Sequence, residues 1–477
     1  MDARSRPGSR YRLPAVLCAA LVACLTPLAL ACGWLGRARP RNVVLISVDT
    51  LRRGSLRPFR RDAAELPNLD AFARRSVIFE TALSPAAWTL PAHASLLTGV
   101  YPDRHGATDP RRRIAPGLPT LAEELRQAGL ETVGFTDGGY VDRKVGFAAG
   151  FDRYDDWVRD PDHRPAISVP RGGAPDPQPG SALFDRAIAY LAQRRPEDPP
   201  FFLFLQTYAV HDYFRVEPEP VRALAGERFE GGKYYLKCLV GRRRCPTDDW
   251  RRLRALYAAE VANLDLGLGQ LLATLDRYGL TNSTLVIIVS DHGEGFDVAH
   301  GRIHHGGRLH HDLIRVPLLI AGPGAVPARV REPVSLVDVM PTVLDLLGHP
   351  SAASLDGESL APVLHRERTA RPRPLYAMEY YLRWQDGRRV NSDEVRQEPI
   401  SLAAITRGRW YIHTASGEEI YDLEADPAQR RNLIVDGDLP GPLRDLMSAR
   451  QGYRLPPGTR GPDRALDDRL RALGYAR

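Results

Sequence analysis

Lysine is almost absent from this chain of 477 residues. Only Lys144, Lys233 and Lys237 occur, so the net charge of +7 rests on arginine. The arginines are scattered, and the short basic runs "PRRRI" (110–114) and "GRRRC" (241–245) accompany no recognition motif. They read as solvated surface, and no nucleic-acid partner is expected. Cysteine is also scarce: of five, Cys18, Cys24 and Cys32 lie near the N-terminus, which leaves Cys238 and Cys245 for the body. "KCLVGRRRC" reads either as two unpaired thiols or as a small disulfide loop, the latter favoured in an oxidising compartment. No internal repeat is present. What remains, 43% hydrophobic and 26% charged residues, is the composition of an ordinary folded protein with a sizeable core.

The N-terminus carries a targeting pattern. Arg4, Arg6, Arg10 and Arg12 precede the uncharged stretch "LPAVLCAALVACLTPLALACGWLG" (13–36), which Arg37 ends. A basic region followed by an apolar region and small residues is an export signal. The stretch also reaches the ~20 residues that span a bilayer. Cys32 sits where bacterial lipoproteins are lipid-modified. The expected location is therefore the periplasm or cell envelope, with the chain released, lipid-anchored through Cys32 or held by a membrane anchor.

Beyond this segment, short apolar runs alternate with helical patterns. "RNVVLISVDT" (41–50), "PPFFLFLQTYAVHDYF" (199–214) and "STLVIIVSDHGE" (283–294) read as buried strands with polar residues at their carboxyl ends. "PTLAEELRQAGLETVGFT" (119–136) reads as helix then strand, and "VPLLIAGPG" (316–324) as a further strand. Such alternation predicts an α/β fold: a mostly parallel central sheet flanked by helices. Function in such sheets gathers beyond the carboxyl ends of the strands, where Asp49, His211, Asp291 and His292 all fall. After about residue 365 the pattern changes to short antiparallel strands ("SLAAITRGRWYIHTASGEEIYDLEAD", 401–426). This predicts a smaller C-terminal α+β subdomain. The expected layout is 1–36 targeting segment, 40–365 catalytic domain, 366–445 subdomain and 446–477 tail.

Asp49 with "SDHGE" (290–294) brings two carboxylates and an imidazole to strand ends, a donor set for a divalent metal. Oxygen ligands suit Ca²⁺ or Mg²⁺; the imidazole tilts the set toward Mn²⁺ or Zn²⁺. "HGRIHHGGRLHH" (300–311) reads as a His-rich loop, in which His310 and His311 are solvated residues with adventitious metal affinity.

The ordered segments "NVVLISVDTLR", "LPNLDAFARRSVIFETALSPAAWTLPAHASLLTGVYPDRHG", "SDHGEGF", "VSLVDVMPTVLDLLG", "LDGESL" and "IYDLEADPAQRRNL" resemble the sulfatase family of the alkaline phosphatase superfamily, over roughly residues 40–435. The resemblance implies that fold, with metal ligands Asp49, Asp291 and His292, and with Thr89 at the nucleophile position and on the metal. It implies substrate contacts for His211 and His305. His300 falls in the same loop and joins them as a catalytic candidate, and His93 is a candidate for orienting Thr89 and the substrate. Arg104 and His105 in "YPDRHG" are expected to support the nucleophile turn.

The departures are chemical. The family signature C/S-x-P-x-R reads Thr89-Leu90-Pro91-Ala92-His93 here, so the residue oxidised to formylglycine is missing and no formylglycine is expected. A threonine hydroxyl on a metal can still act as a nucleophile. A phosphoryl-threonine can be opened by water at phosphorus, whereas a sulfo-threonine lacks the C–O escape that formylglycine provides. The expected activity is hydrolysis of a small-molecule, glycan-linked or lipid-linked sulfate or phosphate ester, with phosphodiester, phosphonate or phosphoryl-transfer chemistry favoured. The competing reading is a catalytically inactive, sulfatase-like binding protein.

Overall fold

The computed structural model describes residues 38–156, 181–211, 213, 247–297, 302–380, 384–385, 388–389, 399–406, 408–414, 417–434 and 448. The chain divides into Met1–Arg39 and Pro40–Arg477. Cys32, Cys238, Cys245 and His300 lie outside the described residues, as does the apolar stretch 13–36. Among the described residues no helix is long and apolar enough to cross a membrane.

Eight strands form the central sheet: β1 (Asn42–Val48), β2 (Val77–Phe79), β3 (Glu131–Thr136), β4 (Arg153–Asp156), β5 (Phe201–Thr207), β6 (Thr284–Val289), β7 (Leu318–Ala321) and β8 (Ala328–Val330). Their order is β8-β2-β7-β6-β1-β5-β3-β4. Only β7 runs against its neighbours, β6 and β2. The run "VPLLIAGPG" is thus a strand as expected, but an antiparallel one. Between β6 and β7 the described residues hold one four-residue helical turn, His311–Ile314, and no crossover helix of the kind that usually carries a chain back to a parallel strand.

The sheet is covered on both faces, because the central strands β1, β5 and β6 are buried along their whole length and direct apolar side chains alternately to either side of the plane. Val43, Leu45, Phe202, Phe204 and Ile287 pack to one side. With them lie helices α2 (Thr89–Thr98), α3 (Leu121–Gln127) and α6 (Val339–Leu347). Val44, Ile46, Leu203, Leu205 and Ile288 face the other side, under α1 (Pro67–Arg74), α4 (Ser181–Ala192) and α5 (Thr247–Arg277). Glycine permits the tightest of these contacts: a Cβ on Gly267 of α5 would meet the Phe184 ring of α4 at 2.4 Å.

Strands β9 (Leu375–Glu379), β10 (Ser401–Thr406), β11 (Arg409–Thr414) and β12 (Gly417–Asp422) form an antiparallel sheet in that order. One face buries Ala403, Ile405, Trp410 and Ile412 against Leu83, Ala87, Leu309 and Leu313. The Trp410 indole N–H donates to the Leu309 carbonyl at 3.1 Å. On its edge, the Met378 N–H donates to the carbonyl of Pro85 at 2.8 Å. The small sheet therefore braces the segment that leads into Thr89. His310 and His311 belong to this brace. His310 Nε2 lies 3.0 Å from Glu419, and the backbone N–H of His311 donates to Gln429 Oε1 at 2.7 Å. Contrary to the expectation of a solvated pair, they tie the His-rich loop to the C-terminal segment.

Candidate active site

Three parallel strands deliver their next residues to one edge. Asp49 follows β1, His211 lies just beyond β5, and Asp291 and His292 follow β6. All four are buried. Two local features hold the turn after β1. Thr50 adopts φ +58°, an unusual conformation for a β-branched residue. Its N–H donates to Asp291 Oδ1 at 3.3 Å, and its carbonyl accepts from the Tyr257 hydroxyl at 2.8 Å. After β6, Gly293 is required: its N–H donates to the Leu313 carbonyl at 2.6 Å, and a Cβ there would meet the Asp312 carbonyl oxygen at 2.1 Å.

Thr89 enters from a helix. It is the first residue of α2, whose N-cap, Trp88, provides no side-chain cap. The positive end of the helix dipole and its leading N–H groups thus face the strand edge, a setting that favours anions. The Thr89 hydroxyl donates to Asp49 Oδ2 at 3.0 Å and lies 3.4 Å from His292 Nε2. His93, one turn along α2, contacts Thr89 through its Nδ1–H, which donates to the Thr89 carbonyl at 2.9 Å, while its Nε2 accepts from the Ser47 hydroxyl at 2.9 Å. Its Nδ1 also lies 3.4 Å from Asp291. Burial pushes its pKa down, with Asp291 and the Thr89 carbonyl opposing. His93 is fully enclosed. It touches the backbone of Thr89 directly, the contact expected of a group that orients that residue.

The donor set suits a metal. Ligand atoms of Asp49, Asp291 and His292 lie within 4.8 Å of one another. His292 Nδ1–H donates to the Gly293 carbonyl at 3.0 Å, which leaves the Nε2 lone pair directed at the cluster. That tautomer is the one metal-ligating imidazoles adopt. Asp291 Oδ2 is buried with no hydrogen-bond donor and lies 3.4 Å from His292 Nε2. An orphaned carboxylate oxygen at full burial is costly unless a cation meets it. The residues fit a divalent ion.

His305 stacks beside this cluster, its ring 4.7 Å from His292 and 5.1 Å from His211. Its Nδ1 lies 2.8 Å from Glu294 Oε2. Burial drives His305 toward the neutral imidazole. Burial alone would raise the Glu294 carboxyl, but His305 and His304 hold it well below the usual carboxylate range. Sequence reading missed Glu294, although it stands in the same "SDHGE" run. Arg104 and His105 behave as supports: Arg104 pairs with Asp356 at 3.2 Å, and the enclosed His105 bonds the Ser95 hydroxyl at 3.0 Å.

A family model described as Sulfatase matches residues 41–349. The chain belongs to the sulfatase family. A second model, N-sulphoglucosamine sulphohydrolase, C-terminal, matches residues 304–447. Among curated relatives of the chain, the multifunctional alkaline phosphatase superfamily protein PehA of Trinickia caryophylli is 28% identical, covering 87% of this chain and 95% of that one. Choline-sulfatase of Rhizobium meliloti is also 28% identical, covering 82% of each. In fold, the phosphonate monoester hydrolase of Silicibacter pomeroyi superposes with a TM-score of 0.68 at 21% identity, covering 86% of this chain and 95% of that one. The sulfatase fold expected from the sequence is therefore present, and with it the chain is an ester hydrolase.

Proposed function

We propose that this sulfatase-family hydrolase cleaves its ester with Thr89 as a covalent nucleophile, and that phosphodiester, phosphonate or phosphoryl-transfer substrates suit it better than sulfate esters. One observation carries the reading: the Thr89 hydroxyl donates to Asp49 at 3.0 Å from the N-terminus of α2. A divalent cation held by Asp49, Asp291, His292 and Thr89 would neutralise charge on the ester oxygens and lower the pKa of a coordinated hydroxyl.

Thr89 Oγ1 passes its proton toward Asp49 Oδ2 as it attacks phosphorus in line, and the bond to the leaving oxygen breaks. The leading N–H groups of α2 receive the negative charge gathered on the non-bridging oxygens. His211, its ring 5.1 Å from that of His305, supplies the proton to the leaving oxygen. Water then attacks the phosphoryl-threonine at phosphorus, returning the Thr89 hydroxyl and releasing the acid. The choice of phosphorus over sulfur rests on this second step, because a threonine ester of sulfate has no internal route to C–O cleavage. The ester would be small, glycan-linked or lipid-linked, and met outside the cytoplasm if the N-terminal segment exports the chain.

The test is a parallel assay of an aryl phosphodiester, phosphonate monoester, phosphate monoester and sulfate with the metal-loaded chain and with Thr89→Ala. Loss of turnover in Thr89→Ala, with a phosphorylated Thr89 peptide trapped from the wild type by acid quench, is expected. Equal activity in both proteins overturns the nucleophile assignment. A sulfate ester as the best substrate overturns the phosphorus preference. A wild type that binds metal but turns over none of the four favours the binding-protein reading.

A further inference from the structure

We infer that Glu294, His304 and His305 form a second divalent-cation site, of the Zn²⁺ or Mn²⁺ type, beside the Asp49–Asp291–His292 centre.

The backbone builds this site. Two short antiparallel strands pair Phe296 with Ile303 and Asp297 with Arg302. The pairing continues outward, since Gly295 and His304 exchange both N–H···O=C bonds, at 3.2 and 3.1 Å. Glu294 is thereby set opposite His305, and directly opposed residues share a face of the ladder. His304 would ordinarily point to the other face, as strand neighbours alternate. Instead it adopts φ +61°, and its ring lies 3.9 Å from that of His305. A non-glycine residue is strained in that region and persists there where the surroundings impose it. Its effect here is to bring two imidazoles onto one carboxylate.

The carboxylate is incompletely satisfied. Glu294 is 1% exposed, and while Oε2 meets His305 Nδ1 at 2.8 Å, Oε1 has no hydrogen-bond donor. The atom nearest it in kind, His304 Nδ1, stands at 3.6 Å, beyond hydrogen-bonding range. Ligand atoms of all three residues lie within 4.8 Å of one another. Gly306, bonded to the Ala87 carbonyl at 2.9 Å, and Gly307, bonded to the buried Glu379 at 3.2 Å, fix the loop that follows. The set therefore does not depend on a free-swinging loop.

Two imidazoles and one carboxylate are a ligand set of catalytic zinc sites, three protein donors with a position left open. Binding through Nδ1 of His305 leaves its Nε2–H for the space beside His292 and His211. A second cation would change the charge balance. Asp49 and Asp291 offset one divalent ion, whereas Glu294 with two neutral imidazoles offsets only half of another. The paired centre then carries one net positive charge, suited to the single negative charge of a phosphodiester or phosphonate monoester. That consequence rests on the Thr89 reading; the ion site itself does not.

The experiment counts ions without substrate. The full chain, stripped with a chelator and dialysed against Zn²⁺, should bind about two equivalents by elemental analysis, the affinity being set by deprotonated ligands. Glu294→Gln, His304→Gln and Asp291→Asn should each retain about one. Because Glu294 is buried, circular dichroism and thermal melting of its variant accompany the count, and the half-buried His304 provides an independent variant. One equivalent in the wild type, or two in a folded His304→Gln, overturns the proposal. Failure of the Thr89 assignment would leave these counts unchanged, so the two readings separate.

Discussion

His93 Nδ1–H donates to the carbonyl oxygen of Thr89 at 2.9 Å, while the same imidazole accepts from Ser47 on β1. This one side chain couples the helix that presents the hydroxyl to the strand that presents Asp49. Groups that orient reactive or ligating residues in this way are worth about 10–100-fold in activity or metal affinity. His93→Ala is therefore expected to lower kcat by about that factor with little change in KM. His93→Gln, which keeps an N–H donor, should recover part of it. Steady-state kinetics that separate kcat from KM check this; a rise in KM alone would place His93 on the substrate.

His105 makes stability depend on pH. Burial depresses its pKa from 6.5 to about 3, and the Ala107 N–H donates to its Nδ1 at 3.1 Å, which only an unprotonated nitrogen can accept. As pH falls through 6.5 the unfolded chain gains a proton at this site and the folded chain does not. Stability contributed by the neutral ring is thus full above pH 6.5 and lost progressively down to about 3, by about 1.4 kcal/mol per pH unit. Denaturant unfolding at several pH values should show this slope in the wild type. His105→Asn should be less stable at neutral pH and show a shallower slope, by about one proton.

Trp410→Ala tests whether the small sheet is an independent module. The indole is fully buried against residues from both ends of the chain, and removing such a side chain costs about 3–5 kcal/mol. A single unfolding transition, shifted as a whole, is expected by calorimetry. Two separate transitions would show that the antiparallel sheet melts alone.

The legible part of this protein was the part that local sequence patterns decide. Apolar β-branched runs ending in Asp or His place Asp49, Asp291 and His292 at strand ends, because a strand buried on both faces leaves chemistry only to its edge. The direction of β7 was not legible, since a short apolar run looks alike in either orientation. Glu294 and His304 were illegible for a different reason. Their meeting depends on hairpin register and on one positive φ, and neither leaves a mark in residue spacing. His310 and His311 read as a solvated pair because their partners, Glu419 and Gln429, lie more than a hundred residues onward.

The bond from Met378 to Pro85 sets an order of events in the making of this protein. Every residue of the Asp49–Thr89–Asp291–His292 cluster leaves the ribosome before the strand that steadies the approach to Thr89 exists. A chain that stops short of β9 would thus hold Asp49, Thr89, Asp291 and His292 while lacking the Met378 bond to the approach to Thr89.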